Sequence, residues 1–423
     1  MRDFLPAEKA RRERLLGTIR RVYTAHGFDE IETPVVEDSA KLHAGLGGDN
    51  EKLAYAVMKR GIKPEDLASA AANDDYLELA DLGLRFDLTV PLARFYASHR
   101  AELPNVFRSI QIAPVWRAER PQKGRYRQFV QCDIDIIGEP GPLAEVELIT
   151  ATAAALDAVG LTGSTIRIND RRILRALVAH LRIPAESYES ALISIDKEDK
   201  IGVAGVVAEL AAKGLGDTEL LSEVLGSLTS QAAEIEDGWG LLESPGDVPA
   251  WLDVAAYREL LEIRAAVGSS ARLVFSPILV RGMGYYTGTI FEVAHPDLGY
   301  SLGGGGRYDG MIGRFLGSDV AAVGFSLGFE RLVDLLETDA TESEAAVALV
   351  YDADVTPAQL GALKGALLGR GKRVRLERRT KNTKPLLDQL AASGFTRFAF
   401  VTSATVELAD SDFRVIGEQS LQQ

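Results

Sequence analysis

Between Arg117 and Arg127, in the run VWRAERPQKGRYRQFVQCDIDIIG, the chain places Arg117, Glu119, Arg120, Lys123, Arg125 and Arg127 around Tyr126, and Phe129 follows. A solvated hairpin would account for any one of these charges but poorly for the set, because the two-residue period of a strand sends Arg117 and Glu119 to one face. Arginine forks match phosphate oxygens in pairs, and a ring such as Phe129 offers a face to a planar base. The set is what a nucleotide polyphosphate needs. Just downstream, Asp133 and Asp135 share a strand face with Gln131 beside them, and Asp87 lies upstream. Asp87 and Asp135 are acceptors for a cationic or N–H-bearing small molecule. The run SLGGGGRYDG puts four glycines among β-rich segments and leads into Arg307 and Tyr308. Glycines so placed mark close approach of a ligand or another backbone. Other signatures are weaker. The glycines of AGLGGDN do not satisfy GxGxxG, since position 50 is Asn, and there is no GxxxxGK[ST] loop. GxSxG is read as absent, with Ser326 of GFSLG sitting before Leu327 and Gly328 in a different order.

These residues need elements to carry them. Pro6 and the Leu15, Ile19, Val22 spacing predict a helix that stops near Gly27. FDEIETPVVE reads as one strand, with Pro34 confining it to an edge or interface. ADLGLRFDLTVPLARFYAS reads as a strand running into a helix. VFRSIQIAPVWRAER and YRQFVQCDIDIIG read as a long antiparallel hairpin around RPQKG. From about His180 to Ala266 alternation gives way to short helical patterns, an inserted helical subdomain. β character returns at ARLVFSPILVRGMGYYTGTIFEVAH and LGYSLGGGGRYDG, and AVGFSLGFERLVDLLE is a strand followed by a helix. After the polar linker ETDATESEA, the order strand–helix–strand–helix–strand predicts a small α/β module. The fold class expected is α+β, an antiparallel catalytic sheet with a helical insertion and a small C-terminal α/β domain.

Composition bounds the functions these elements can serve. At 423 residues, 46% hydrophobic and 26% charged, the chain is an ordinary globular protein of two to three domains. No apolar run approaches the roughly 18 residues that span a bilayer. The charged start MRDFLPAEKARRERLL is not read as a secretory signal. The single cysteine, Cys132, excludes an internal disulfide and a cysteine-based zinc site, and a reduced, cytoplasmic protein is expected. The five histidines do not recur at i, i+4. Net charge is −14, which taken whole argues against a nucleic-acid binder. Its distribution argues otherwise: residues 345–423 hold 11 basic and 8 acidic side chains, and Arg370 to Lys384 holds eight basic and one acidic. A basic module follows an acidic body.

Several runs resemble the histidyl-tRNA synthetases, and the resemblance covers the whole chain. VWRAERPQKGRYRQFVQCDIDIIG resembles motif 2 of that family, LVRGMGYYTGTIFE and GGRYDG its two histidine signatures, GFSLGFERL the class II motif 3, and the segment around Pro34 motif 1. The forms LRFDLTVPLARF and QCDIDIIG, with Asp for Glu, are similar to the eukaryotic-like branch. The resemblance implies a role for each matching residue. Arg117 would hold the ATP α-phosphate, Glu119 the adenine amino edge and Phe129 the ring. Arg125 would meet the outer phosphates and Arg331 the γ-phosphate. Asp87, Thr89 and Gln131 would hold the α-amino group, while Asp135 and Tyr286 would bracket the imidazole nitrogens with Tyr285 adjacent. Arg281 would lie over the α-phosphate and carboxylate, in place of a metal held by other class II enzymes. ATP would enter with Mg²⁺, and the protein itself would hold no metal and no zinc.

Division of labour follows in the same way. Residues 1–179 would form the first part of the catalytic domain, 180–266 the helical insertion, 267–338 the second catalytic part and 345–423 an anticodon-binding domain. In that last module Arg378, Arg379 and Lys381 would meet tRNA. The expected protein is a homodimer that joins L-histidine to tRNA(His), with no membrane role. Two departures stand out. Gly284 replaces the usual Asp of the first signature, and the C-terminal module is short, with TSATVE where the family has Gly-Glu. An alternative reading is a non-catalytic, histidine-sensing regulatory subunit of ATP phosphoribosyltransferase. Such paralogues generally lack the anticodon module and the arginine signature, both of which this chain carries. A second rival, an activator serving a non-tRNA acceptor, has no use for a basic tail.

Overall fold

The structure is a computed structural model and describes residues 1–43, 53–119, 126–234, 236–242, 248–281, 284–336 and 346–417. Helix α1 (Pro6–Ala25) leads to β1 (Asp29–Glu30), β2 (Val36–Asp38) and the short α2 (Ser39–His43). The single strand expected over FDEIETPVVE is therefore two pieces in two different sheets. The physical reason is Pro34, which cannot donate to a ladder, together with Arg85. The buried Arg85 guanidinium donates to the carbonyls of Thr33 (2.7 Å), Pro34 (3.3 Å) and Pro114 (3.0 Å). These bonds replace strand pairing at the crossing.

Next come β3 (Tyr55–Met58), α3 (Pro64–Asn73), β4 (Ala80–Leu84) and α4 (Thr89–His99). The hairpin is β5 (Phe107–Trp116) with β6 (Gln128–Ile137), paired antiparallel along its whole length. α5 (Leu143–Ala158), β7 (Thr165–Asp170) and α6 (Arg171–His180) precede the helical stretch α7 (Tyr188–Ile195), α8 (Glu198–Ala212), α9 (Thr218–Glu234) and α10 (Val254–Val267). α7, α8 and α9 pack in sequence, whereas α10 packs on α5 and β7, in the helical layer of the sheet. β8 (Arg272–Phe275), β9 (Thr289–Ala294), β10 (Gly303–Arg307), α11 (Asp309–Leu316), β11 (Ala322–Gly328) and α12 (Phe329–Leu335) complete this part.

The strands form an eight-stranded sheet in the order β1-β5-β6-β11-β10-β9-β7-β8 and a three-stranded sheet β2-β4-β3. The large sheet is antiparallel through its centre, with parallel pairs only at its two edges. β6 shows how it is used. Cys132, Ile134 and Ile136 point into the hydrophobic core, while the alternate positions Gln131, Asp133 and Asp135 line a cavity. β10 is nearly all glycine because its neighbours leave no room. A Cβ on Gly305 would lie 1.9 Å from the Gly324 carbonyl, and one on Gly306 2.6 Å from that of Thr289. The Arg307 guanidinium at the end of β10 meets Glu145 of α5 in a buried two-point ion pair of 2.7 and 2.6 Å.

By packing, the chain divides into two units: Met1–Arg2 with Leu15–Leu336, and Asp3–Arg14 with Glu337–Gln423. The second holds β12 (Ala346–Tyr351), α13 (Pro357–Gly369), β13 (Arg373–Arg378), α14 (Lys384–Ala392), β14 (Arg397–Val401) and β15 (Arg414–Val415). Its sheet runs β13-β12-β14-β15, parallel except for β15. The continuous apolar run of β12 fits a strand covered on both faces. Val347 and Leu349 pack with Leu360, Leu363 and Leu367 of α13, and Ala346, Ala348 and Val350 with Leu390 of α14.

Candidate active site

A cavity of about 1210 Å³ opens over the centre of the large sheet. Its floor is the backbone of β10, and its walls come from β6, β9, β11, the start of α4 and the segment between β8 and β9. Of the carboxylates that line it, four are all but sealed from solvent: Asp87 at 2%, and Asp133, Asp135 and Glu330 at 4% exposure. Asp87 Oδ1 accepts from the Val90 amide of α4 at 3.3 Å, and its Oδ2 is buried without a hydrogen-bond partner. Gln131 Nε2 donates to Ser326 Oγ at 2.9 Å and to both Asp133 oxygens at 3.2 and 3.3 Å. That turns Gln131 Oε1 away, and it too is buried and unpartnered. Two acceptors therefore await a donor such as an ammonium group. Thr89, the first residue of α4, lines the same wall.

Asp135 Oδ1 accepts from the Tyr308 hydroxyl at 2.7 Å. It stands opposite Gly324 in the β6–β11 ladder, where a Cβ would lie 1.9 Å from Oδ1. Only glycine admits the carboxylate here. The rings of Tyr285 and Tyr286 meet edge to face at 4.8 Å, and Tyr285 lies 6.1 Å from Tyr308. Burial dominates the electrostatics. It pushes the Asp87 carboxyl up to about 6, against the pull of the Val90 amide and Arg117. It pushes Asp135 to about 7, with the Tyr308 bond opposing and Asp87 adding. Asp133 is driven well above the carboxylate range by burial and by Asp135 beside it. Burial likewise holds all three tyrosines above their ordinary value. The pocket awaits positive charge.

Cations line the same cavity. Arg117 Nε donates to the Phe86 carbonyl at 3.0 Å, and its guanidinium lies 5.0 Å from the Phe129 ring centre. Glu119, Phe129 and Arg331 border the same cavity. Arg331, on α12, lies over the Tyr300 ring at 5.6 Å and donates to the Ser301 carbonyl. Arg281 donates through Nη1 to Glu292 at 2.7 Å, while its Nε is buried and unpartnered. Burial works against the charge of Arg281, and Glu292, Tyr286 and Asp196 together more than offset it, holding the group above the ordinary arginine range. Arg125 lies outside the described residues, as do Arg120 and Lys123 of the hairpin tip. Gly284 is described, and a Cβ there would have nothing within 4 Å.

In the C-terminal unit Arg378, at the end of β13, is exposed, as are Arg379 and Lys381 beyond it. Arg379 reaches Asp352 at 3.4 Å and covers the Phe400 ring at 4.5 Å. Sequence reasoning left out three side chains that the cavity includes. Asp133 was within reach of the strand period. Tyr308 stands inside a quoted signature, but its bond to Asp135 spans 173 positions. Glu292 meets Arg281 by a side-chain bond between a strand and an irregular segment, which no local pattern encodes. One motif needs correcting. GFSLG does match GxSxG letter for letter, but Ser326 sits within β11 and its hydroxyl accepts from Gln131, so it is not at the strand-to-helix elbow that such a nucleophile requires.

Buried acceptors and fixed guanidinium groups in one cavity suit a zwitterionic substrate beside a polyphosphate. The likenesses to known proteins agree with that chemistry. A family model described as histidyl-tRNA synthetase matches residues 1–332. A histidine–tRNA ligase of Leifsonia xyli is 60% identical over 415 residues, 97% of this chain and 96% of that one. Among solved structures, the histidyl-tRNA synthetase of Nostoc sp. PCC 7120 superposes with a TM-score of 0.72 at 27% identity, covering 95% of this chain and 90% of that one. A Bacillus halodurans protein described as an ATP phosphoribosyltransferase regulatory subunit/histidyl-tRNA synthetase shares the fold, with a TM-score of 0.72 at 19% identity over 96% and 97% of the two chains. Sheet and cavity define a class II aminoacyl-tRNA synthetase. Within that class, the chain belongs to the histidyl-tRNA synthetase family.

Proposed function

We propose that this chain is a histidine–tRNA ligase. The histidine carboxylate attacks the α-phosphorus of Mg²⁺-bound ATP, the bond to the β-phosphate oxygen breaks, and pyrophosphate leaves. A ribose hydroxyl at the tRNA(His) 3′ end then attacks the carbonyl of the histidyl-adenylate and AMP leaves. The observation that carries this reading is the pairing, in one cavity, of two unpartnered buried acceptors, Asp87 Oδ2 and Gln131 Oε1, with the unpartnered Nε of Arg281. An α-ammonium satisfies the first two, and a carboxylate and phosphate satisfy the third. Asp135 and Tyr286 take the imidazole nitrogens, with Tyr285 behind them. An apolar side chain would leave these polar groups buried and unpaired, and sites of that kind discriminate strongly.

The phosphoryl step needs no protein nucleophile, only orientation and fixed positive charge. Arg117 meets the α-phosphate, Phe129 stacks adenine beside Glu119, and Arg125 and Arg331 take the outer phosphates. Arginine stays protonated at any working pH. The part of residues 180–266 before α10 acts as the insertion, α10 staying with the catalytic sheet, and 345–423 act as the anticodon-binding module, where Arg378, Arg379 and Lys381 contact RNA. The chain works in the cytoplasm as a homodimer. Val35, Val36, Met58 and Leu82, exposed on and beside the three-stranded sheet, are apolar surface of the kind a partner covers. Among the described residues no helix is long and apolar enough to cross a membrane.

Histidine-dependent ATP–pyrophosphate exchange and charging of purified tRNA test the proposal. Both should be present, and Arg281→Ala should lower exchange about 100- to 1000-fold, the usual cost of losing one donor to developing charge. Histidine binding without exchange would instead support the regulatory-subunit reading, and exchange without charging would support an activator for another acceptor.

A further inference from the structure

Arg281 lies outside the strands and helices, in the segment between β8 and β9. A long side chain on such a segment has many rotamers, so something must fix its guanidinium. Two contacts do so. The plate lies on the β10 backbone, where a Cβ on Gly304 would be 2.7 Å from Cζ and 2.8 Å from Nη2. Its Nη1 donates to Glu292 Oε2 at 2.7 Å. Glu292 sits mid-row on the sheet, opposite Gly304 on one side and Arg167 on the other. Its second oxygen, Oε1, is 3.8 Å from Arg167 Nη1, which is itself 3.7 Å from Asp199.

We propose that Glu292 is a positioning residue for the activation step: it grips Arg281 by Nη1, so that the Nε–Nη2 edge of the guanidinium faces the reacting carboxylate and α-phosphate. This rests on the role given to Arg281 above. The geometry of guanidinium makes the assignment specific. Nε and Nη2 form the fork that binds an oxyanion at two points, and Glu292 occupies the one nitrogen outside that fork. A bare carboxylate this close to a triphosphate would repel it. Arg167 on Oε1 offsets that charge and holds the carboxylate in line with the row. Without Glu292, Arg281 has another anion within reach of its field, Asp196, whose carboxyl lines the same cavity. A guanidinium drawn toward Asp196 no longer presents its fork to the substrates.

A double-mutant cycle on the full chain tests this, read by single-turnover formation of histidyl-adenylate, with thermal melts confirming that each variant folds. Glu292→Ala should slow the step about 100-fold, the order of loss that follows misplacement by about 1 Å, with KM for histidine and ATP nearly unchanged. In an Arg281→Ala background the same change should cost nothing further, because the residue acts through Arg281. Glu292→Gln keeps an acceptor at the same reach and should recover most of the rate. Glu292→Asp keeps the charge but withdraws it by one methylene and should not. If Glu292→Ala fails to fold, the cycle is run with Glu292→Asp. Equal losses in both backgrounds, or a loss confined to KM, overturn the proposal while leaving Arg281 in place. Near-normal rates in Arg281→Ala alone overturn the reading of Arg281, and this proposal with it.

Discussion

Asp135 answers to two demands that oppose each other. It must be an anion to take an imidazole N–H, yet its burial favours the proton and lifts its carboxyl from 3.8 to about 7. A group with a folded-state value above its unfolded one stabilises the fold fully below the unfolded value, and that contribution is lost as pH rises through the folded one. Between about pH 4 and 7, then, Asp135 makes the ligand-free protein progressively less stable. Asp135→Asn keeps an acceptor for Tyr308 and removes the charge. The ligand-free variant should melt above the wild type at pH 8, by a few kcal/mol at most on about 1.4 kcal/mol per pH unit, and the gap should close toward pH 4. Thermal melts across that range check the sign; a variant less stable at pH 8 contradicts it. The same change should raise the histidine KM at least about ten-fold, since a bond to a charged group is worth about 1.5–3 kcal/mol. A collapse of ATP binding with histidine binding intact would move Asp135 to the nucleotide side. Gln131 and Asp135 could be found from sequence because strand period and residue type both point at them, and Asp87 by residue type alone. Glu292 could not, because its importance lies in what stands opposite it in two ladders.

At the scale of elements, α5 is tied to β10 by Glu145 and Arg307, a pair that also fixes the end of the cavity floor. Both groups are buried, so removing Glu145 leaves the Arg307 guanidinium with only the more distant Asp309 carboxylate, at 3.3 Å, as counter-charge. Glu145→Ala should destabilise the protein by about 3–5 kcal/mol, measured by denaturant unfolding of the large unit; a change below about 1 kcal/mol would show the pair to be idle. Gly284 makes the opposite case. With nothing within 4 Å of its Cβ position, Gly284→Asp, which restores the residue usual in the signature, should leave the melting temperature within a few degrees of wild type. A drop of more than about 8 °C, the upper size of shift per kcal/mol in a small domain, would show that the space is not usable. Most elements were legible from pattern alone: the hairpin, β4 into α4, the alternation of the C-terminal module. The break at Pro34 was not, because the carbonyls it frees are satisfied by Arg85, some fifty positions away, and no local pattern encodes that partner. Nor was the packing of α10 on α5 and β7, since its helical period is the same whichever layer receives it.

Across the whole molecule, charge is split between an acidic body and a basic module, with eight basic residues between Arg370 and Lys384. RNA is held largely through its phosphates and read at unpaired loops, so the proposed division of labour makes the two reactions separable. A chain ending at Glu344 should retain histidine-dependent ATP–pyrophosphate exchange and lose most of its affinity for tRNA. If exchange disappears while the truncated protein remains folded by circular dichroism, the module serves activation as well. Replacing Arg378, Arg379 and Lys381 together with Ala should lower the slope of log K against log salt for tRNA binding by no more than about 2–3, at roughly 0.7–0.9 per phosphate. Arg379 already pairs with Asp352 and covers Phe400, so its share should be the smallest of the three. An unchanged slope would leave the three as a solvated face.

The glycine strand β10 has a consequence for how this enzyme can change. Every other amino acid adds a Cβ, and at each of Gly303, Gly304, Gly305 and Gly306 that atom would come within 2.6 Å of a backbone oxygen. The floor of the pocket is therefore a surface without letters: no mutation can retune it, only break it. Inheritance of new substrate preference must run through the walls, at Tyr285, Tyr286, Asp135 and their neighbours, while the floor stays fixed. A saturation library over residues 303–306 selected for growth should return glycine at all four positions, and one over the walls should return alternatives.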